Sequence, residues 1–90
     1  MKKYIIEREI PEVGNMSASE LCGAAKTSND ALAKLAPKVQ WQHSYVAGNK
    51  TFCVYLADSE GSIRQHADLS GFPANVITEI SATIDPTTGA

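Results

Sequence analysis

The residues in this chain with the means to do chemistry are two histidines, a cysteine–tyrosine pair and two glutamates. His43 stands in Trp41-Gln42-His43-Ser44-Tyr45 and His66 in Ile63-Arg64-Gln65-His66-Ala67. They fall on different predicted elements, so only the fold can bring them together. Imidazole binds transition metals and titrates near neutral pH. The ordinary reading of a mid-strand His43 is a core-edge residue hydrogen-bonded to backbone; the functional reading is a metal ligand. His66, beside Ile63 and Ala67 on its helix, either flanks the core or projects toward His43. Glu7 and Glu9 share one side of their strand, where they form a solvated face, supply oxygen ligands or provide a general base. Cys53 and Tyr55, in Phe52-Cys53-Val54-Tyr55, either pack or line a small-molecule site, with Tyr55 or Glu7 as proton-transfer candidates. No nucleophile elbow, phosphate-cradling glycine loop or H-E-x-x-H pattern occurs, so no motif supports an enzyme.

Six elements must position these groups. Residues 3 to 10 read as a strand rich in Ile and Tyr, ended by Pro11 and Gly14. Ser17-Ala18-Ser19-Glu20 is a capping box, and Met16 with Leu21 has hydrophobic-staple spacing. The apolar stripe Leu21, Ala24, Ala25, Ala31, Leu32 and Leu35 then predicts an amphipathic helix up to Pro37. Val39–Ala47 and Lys50–Ala57 are β-rich runs joined by the turn pair Gly48-Asn49, a hairpin. A second helix fits residues 59 to 70, with Gly71 as its C-terminal cap before Pro73. Val76 to Ile84 alternates as a final strand, Pro86 stops it, and residues 85 to 90 read as a flexible tail. The order βαββαβ is the ferredoxin-like α+β arrangement, a four-stranded antiparallel sheet with both helices on one face.

Hairpin geometry assigns the faces. Tyr45 lies opposite Phe52, His43 opposite Val54 and Trp41 opposite Leu56, an apolar set expected under the helices, joined by Val76 and Ile80 from the last strand. The other face collects Gln40, Gln42, Ser44, Val46, Cys53, Tyr55 and, from the first strand, Ile5, Glu7 and Glu9. A mixed face of that kind suits a cleft lined by a second protomer better than bulk solvent.

Ninety residues, 43% hydrophobic and 20% charged, describe one domain spanning 1–90. A domain so small leaves much of its surface exposed, and a partner copy over one sheet face would complete the core. A net charge of −2, with no basic cluster longer than Lys2-Lys3, excludes an electrostatic footprint for nucleic acid or anionic membrane. Glu7, Arg8 and Glu9 interrupt the first apolar run, so no signal-peptide core or transmembrane span forms there, and the chain reads as cytoplasmic. Two cysteines without C-x-x-C spacing read as reduced thiols, with Cys22 a buried or half-buried filler on its helix.

Across nearly the whole chain, Tyr4-Ile5-Ile6-Glu7-Arg8, Trp41-Gln42-His43-Ser44-Tyr45-Val46, Cys53-Val54-Tyr55, Ile63-Arg64-Gln65-His66-Ala67, Gly71-Phe72-Pro73-Ala74-Asn75 and Ile84-Asp85-Pro86 form a pattern. It resembles a bacterial domain-of-unknown-function family that includes a small nickel-binding protein from actinobacteria. The resemblance implies a homodimer of the dimeric α+β-barrel kind and binding of Ni²⁺ or another divalent transition metal, for buffering, storage or sensing. His43, His66, Glu7 and, less directly, Cys53 are the positions it offers as ligands. Ni²⁺ accepts imidazole and carboxylate, and two ligands per subunit become four across a dimer axis. The competing reading is a small-molecule-binding or enzymatic dimer with Cys53 and Tyr55 lining a cleft on the open sheet face, a fold-level analogy. A third is an interaction protein with neither metal nor pocket.

Overall fold

The computed structural model describes residues 1–90. Its elements are β1 (Lys2–Glu9), α1 (Ala18–Leu35), β2 (Val39–Ala47), β3 (Lys50–Ala57), α2 (Glu60–Ser70) and β4 (Val76–Glu79), with short 3₁₀ turns at Val13–Asn15 and Pro86–Gly89. The strands form one antiparallel sheet in the order β2-β3-β1-β4, the ferredoxin-like arrangement, with α1 and α2 packed side by side on one face.

The helices start and stop where their caps dictate. The Ser17 hydroxyl accepts the Glu20 N–H at 3.1 Å, and the Glu20 carboxylate accepts the Ser17 N–H at 3.0 Å, satisfying two otherwise orphaned donors of α1. These bonds hold the Glu20 carboxyl below the usual range. In α2, Ser59 accepts from the Ser62 N–H, and Gly71, at φ 78°, closes the helix by donating to Ala67 at 2.9 Å.

The core lies between the helices and the sheet. Tyr4 and Ile6 of β1, Val39 of β2, Cys53, Tyr55 and Ala57 of β3, and Ile63 of α2 are its buried members. Burying side chains of the size of Ile6 and Ile63 contributes about 1.5–3 kcal/mol each.

Three expectations from the sequence are corrected here. First, the β3 residues beneath the helices are Cys53, Tyr55 and Ala57, so Phe52, Val54 and Leu56 belong to the open face. Strand period fixes this, because Tyr4 and Ile6 pair with Tyr55 and Cys53, whereas Ile5 and Glu7 pair with Val54 and Phe52. Second, a bulge between Trp41 and His43 breaks the uniform hairpin register. Tyr45 and His43 pair with Phe52 and Val54, but Trp41 pairs with Tyr55 and packs against the core. Third, β4 stops at Glu79. Ile80 still donates to Lys3 at 2.8 Å, but β1 starts at Lys2, so residues beyond it have no partner strand. Instead Asp85 caps the closing 3₁₀ turn, its carboxylate accepting the Thr87 N–H at 2.9 Å.

Candidate functional site

Two histidines of opposite character emerge. His43 is exposed on the open face, edge-on to Tyr45 with ring centroids 5.2 Å apart. His66 is 1% exposed, on the far side of the sheet, where α2 packs on Tyr55. Its Nε2 shares a 3.1 Å hydrogen bond with the Ser28 hydroxyl of α1, and its Nδ1 is buried without a partner. Burial holds the His66 imidazole below its ordinary value, the nearby Arg8 charge adds to this, and the Ser28 bond opposes it. The two imidazoles therefore do not share a site within one chain.

The open face carries Glu7 as well. Glu7 pairs with Phe52 on one side and Val76 on the other, and its carboxylate lies 3.7 Å from the Lys50 ammonium. His43 lies in the neighbouring row, opposite Val54, which in turn pairs with Ile5. Two strand spacings, roughly 10 Å, thus separate β2 from β1 and hold the imidazole and carboxylate apart within one chain. No group of three or more His, Cys, Asp or Glu side chains comes together tightly enough to hold a metal ion. Around these groups the surface is largely apolar, with Phe52, Leu56 and Ile5 half-buried and Tyr45 and Val76 exposed.

Cys53 and Tyr55 are not on that face. Both line a cavity of about 260 Å³ between α1 and the sheet, Cys53 with its thiol 3.5 Å from the Thr51 hydroxyl. Cys22, by contrast, is exposed on α1 rather than filling the core. Cys53 and Tyr55 thus line a cavity beneath the helices instead of a cleft on the open face, and Glu7 is not part of its lining. Burial pushes the Tyr55 phenol up, an effect that the Arg8 charge opposes, so the hydroxyl keeps its proton at neutral pH.

Two residues of this cavity escaped the sequence reading. Arg8 is 2% exposed with its guanidinium 5.9 Å from the centroid of the Tyr55 ring, and Ser28 is a buried hydroxyl within the apolar stripe of α1. The signal for Arg8 was available: if Glu7 and Glu9 face one way, alternation sends Tyr4, Ile6 and Arg8 the other.

A family model described as nickel responsive protein SCO4226-like matches residues 4–80. Among solved structures, the chain is similar to the crystal structure of SCO4226 from Streptomyces coelicolor A3(2), with a TM-score of 0.75 over 91% of this chain and 99% of that one. The sequences are 13% identical, a likeness of fold. No curated protein matches the chain.

Proposed function

We propose that this chain, which belongs to the SCO4226-like family of nickel-responsive proteins, is a cytoplasmic homodimer that binds a divalent transition metal, nickel by preference. The observation that carries this reading is His43: an exposed imidazole on a largely apolar sheet face left uncovered by either helix. An apolar face of this kind is the natural place for a second copy to pack.

Pairing also answers the shortage of ligands. One chain offers His43 and Glu7 on the same face but too far apart to form a site, and a two-fold axis doubles the set to two imidazoles and two carboxylates. Nitrogen and oxygen donors of this kind suit Ni²⁺, which accepts square-planar to octahedral surroundings. His66, with Nε2 engaged by Ser28 behind the sheet, is outside this ligand set, and so is the buried Cys53. The bound ion would be cargo or signal, consistent with buffering, storage or sensing.

Calorimetric titration of Ni²⁺ into chelator-stripped protein tests the assignment, with His43→Ala and His66→Ala side by side. Removal of a neighbour that merely orients a ligand costs about 10–100-fold in metal affinity, so His43→Ala should weaken nickel binding by at least that much while His66→Ala leaves the stoichiometry unchanged. Equal binding by wild type and His43→Ala would remove this residue from the site.

A further inference from the structure

Arg8 is the charged member of an otherwise apolar inward row, following Tyr4 and Ile6 on β1. Its Nη1 donates to the Pro73 carbonyl at 2.7 Å, while Nη2 is fully buried and has no acceptor. No carboxylate neutralises it: the three ion pairs of the chain, Lys2–Glu79, Lys50–Glu7 and Arg64–Glu60, all lie elsewhere. The Tyr55 ring offers only a weak cation–π contact at 5.9 Å. A buried guanidinium is ordinarily paired, because leaving it uncompensated forfeits its hydration with nothing in return.

The cavity of about 260 Å³ between α1 and the sheet has Arg8 in its lining. Leu21, Ala25, Val46 and Phe72 provide apolar wall, and Ser28, Ser44, Thr51 and Tyr55 bring neutral hydroxyl groups to the lining. Tyr55 stays protonated at neutral pH and therefore presents a donor instead of a competing anion.

We propose that this cavity binds an organic monocarboxylate, its charge compensating the uncompensated guanidinium of Arg8 and its apolar body against Leu21, Ala25 and Val46. One cation calls for one negative charge. A dianion such as phosphate would bring an unpaired charge into an apolar cavity and lacks a body to fill it. The volume lies just below the roughly 300–1,000 Å³ of drug-sized sites, suiting an aliphatic body of about eight carbons. The site is on the opposite face of the sheet from His43 and is independent of the nickel reading.

The test is calorimetric titration of metal-free, full-length protein with octanoate, 1-octanol and inorganic phosphate, using wild type, Arg8→Met and Ala25→Leu. A charge-assisted hydrogen bond in a buried site should favour octanoate over 1-octanol by about tenfold or more. Octanoate should bind one-to-one, phosphate should not bind, and Arg8→Met should erase the preference of octanoate over 1-octanol. Ala25→Leu keeps the guanidinium but fills the cavity, so it should weaken both organic ligands, and it carries the test alone if Arg8→Met fails to fold. No octanoate binding to the wild type, equal affinity for octanoate and 1-octanol, a preference for phosphate, or octanoate binding untouched by Ala25→Leu would each overturn the proposal.

Discussion

At the scale of single residues, the polar cluster beneath the helices sets the acid sensitivity of the fold. His66 is held neutral by burial and by the positive charge of Arg8, so its folded-state value lies below the ordinary histidine value of about 6.5. As pH falls, the unfolded chain takes up this proton first, and the unfolded state gains. The His66 contribution to stability is therefore complete above about pH 6.5 and is lost progressively as pH falls below it. Urea unfolding at pH 7.5 and 5.0 should show a larger loss for wild type than for His66→Gln. Identical pH slopes would mean that His66 is not held neutral by its surroundings. This behaviour was not legible in the chain, because the Ser28 partner lies 38 residues away and only packing of α1 on α2 brings them together.

At the scale of elements, two glycines separate tertiary constraint from local propensity. The loop leaving β1 is pinned to the tip of the β2–β3 hairpin: the Ile10 N–H donates to Asn49 at 2.8 Å and the Gly14 N–H to Gly48 at 2.7 Å. A Cβ on Gly14 would sit 2.7 Å from the Gly48 carbonyl oxygen, backbone that cannot move aside cheaply. Gly14→Ala should destabilise by about 1–3 kcal/mol, the cost of overpacking. Gly23, in α1, has open space where its Cβ would go, so Gly23→Ala should stabilise by about 0.5–1 kcal/mol through helix propensity alone. Chemical denaturation checks both signs, and a stable Gly14→Ala protein would show that the hairpin tip is not clamped.

The same scale explains what could be read in the chain. Capping at Ser17 and Gly71 and the turn at Gly48-Asn49 are local, and they located both helices and the hairpin. Face assignment was not local. Phe52, Val54 and Leu56 look more like core than Cys53, Tyr55 and Ala57, and nothing within β3 announces that the smaller, more polar set lies under the helices. Nor does the apolar alternation from Val76 to Ile84 reveal that the chain runs past the start of β1 after Ile80 and finds no partner strand there. The bulge at Gln42 turned Trp41 away from His43, a one-residue irregularity with no signature in residue type.

At the scale of the whole molecule, that face inversion leaves apolar surface uncovered, which supports the proposed pairing. A single chain leaves Tyr45 61% and Val76 46% exposed beside Phe52, Val54 and Leu56 on the uncovered side of the sheet, apolar surface whose burial against a second copy would contribute roughly 25 cal/mol per Å² before the costs of association. Phe52→Lys, a change on this face between Tyr45 and Glu7, should leave the protein monomeric in sedimentation velocity and weaken nickel binding in the same step if the proposed dimer forms through this face. A monomeric Phe52→Lys protein with unaltered nickel affinity would separate the two properties.

Counting ions on each oligomeric state tests the proposed nickel site most directly. Native mass spectrometry of chelator-stripped protein, titrated with Ni²⁺, resolves monomer and dimer and counts the ions on each. Nickel confined to the dimer in whole-number ratio, and absent from the dimer of His43→Ala, is the predicted result. Nickel carried equally by monomers, or a dimer that takes up none, would contradict a metal site assembled between two open sheet faces.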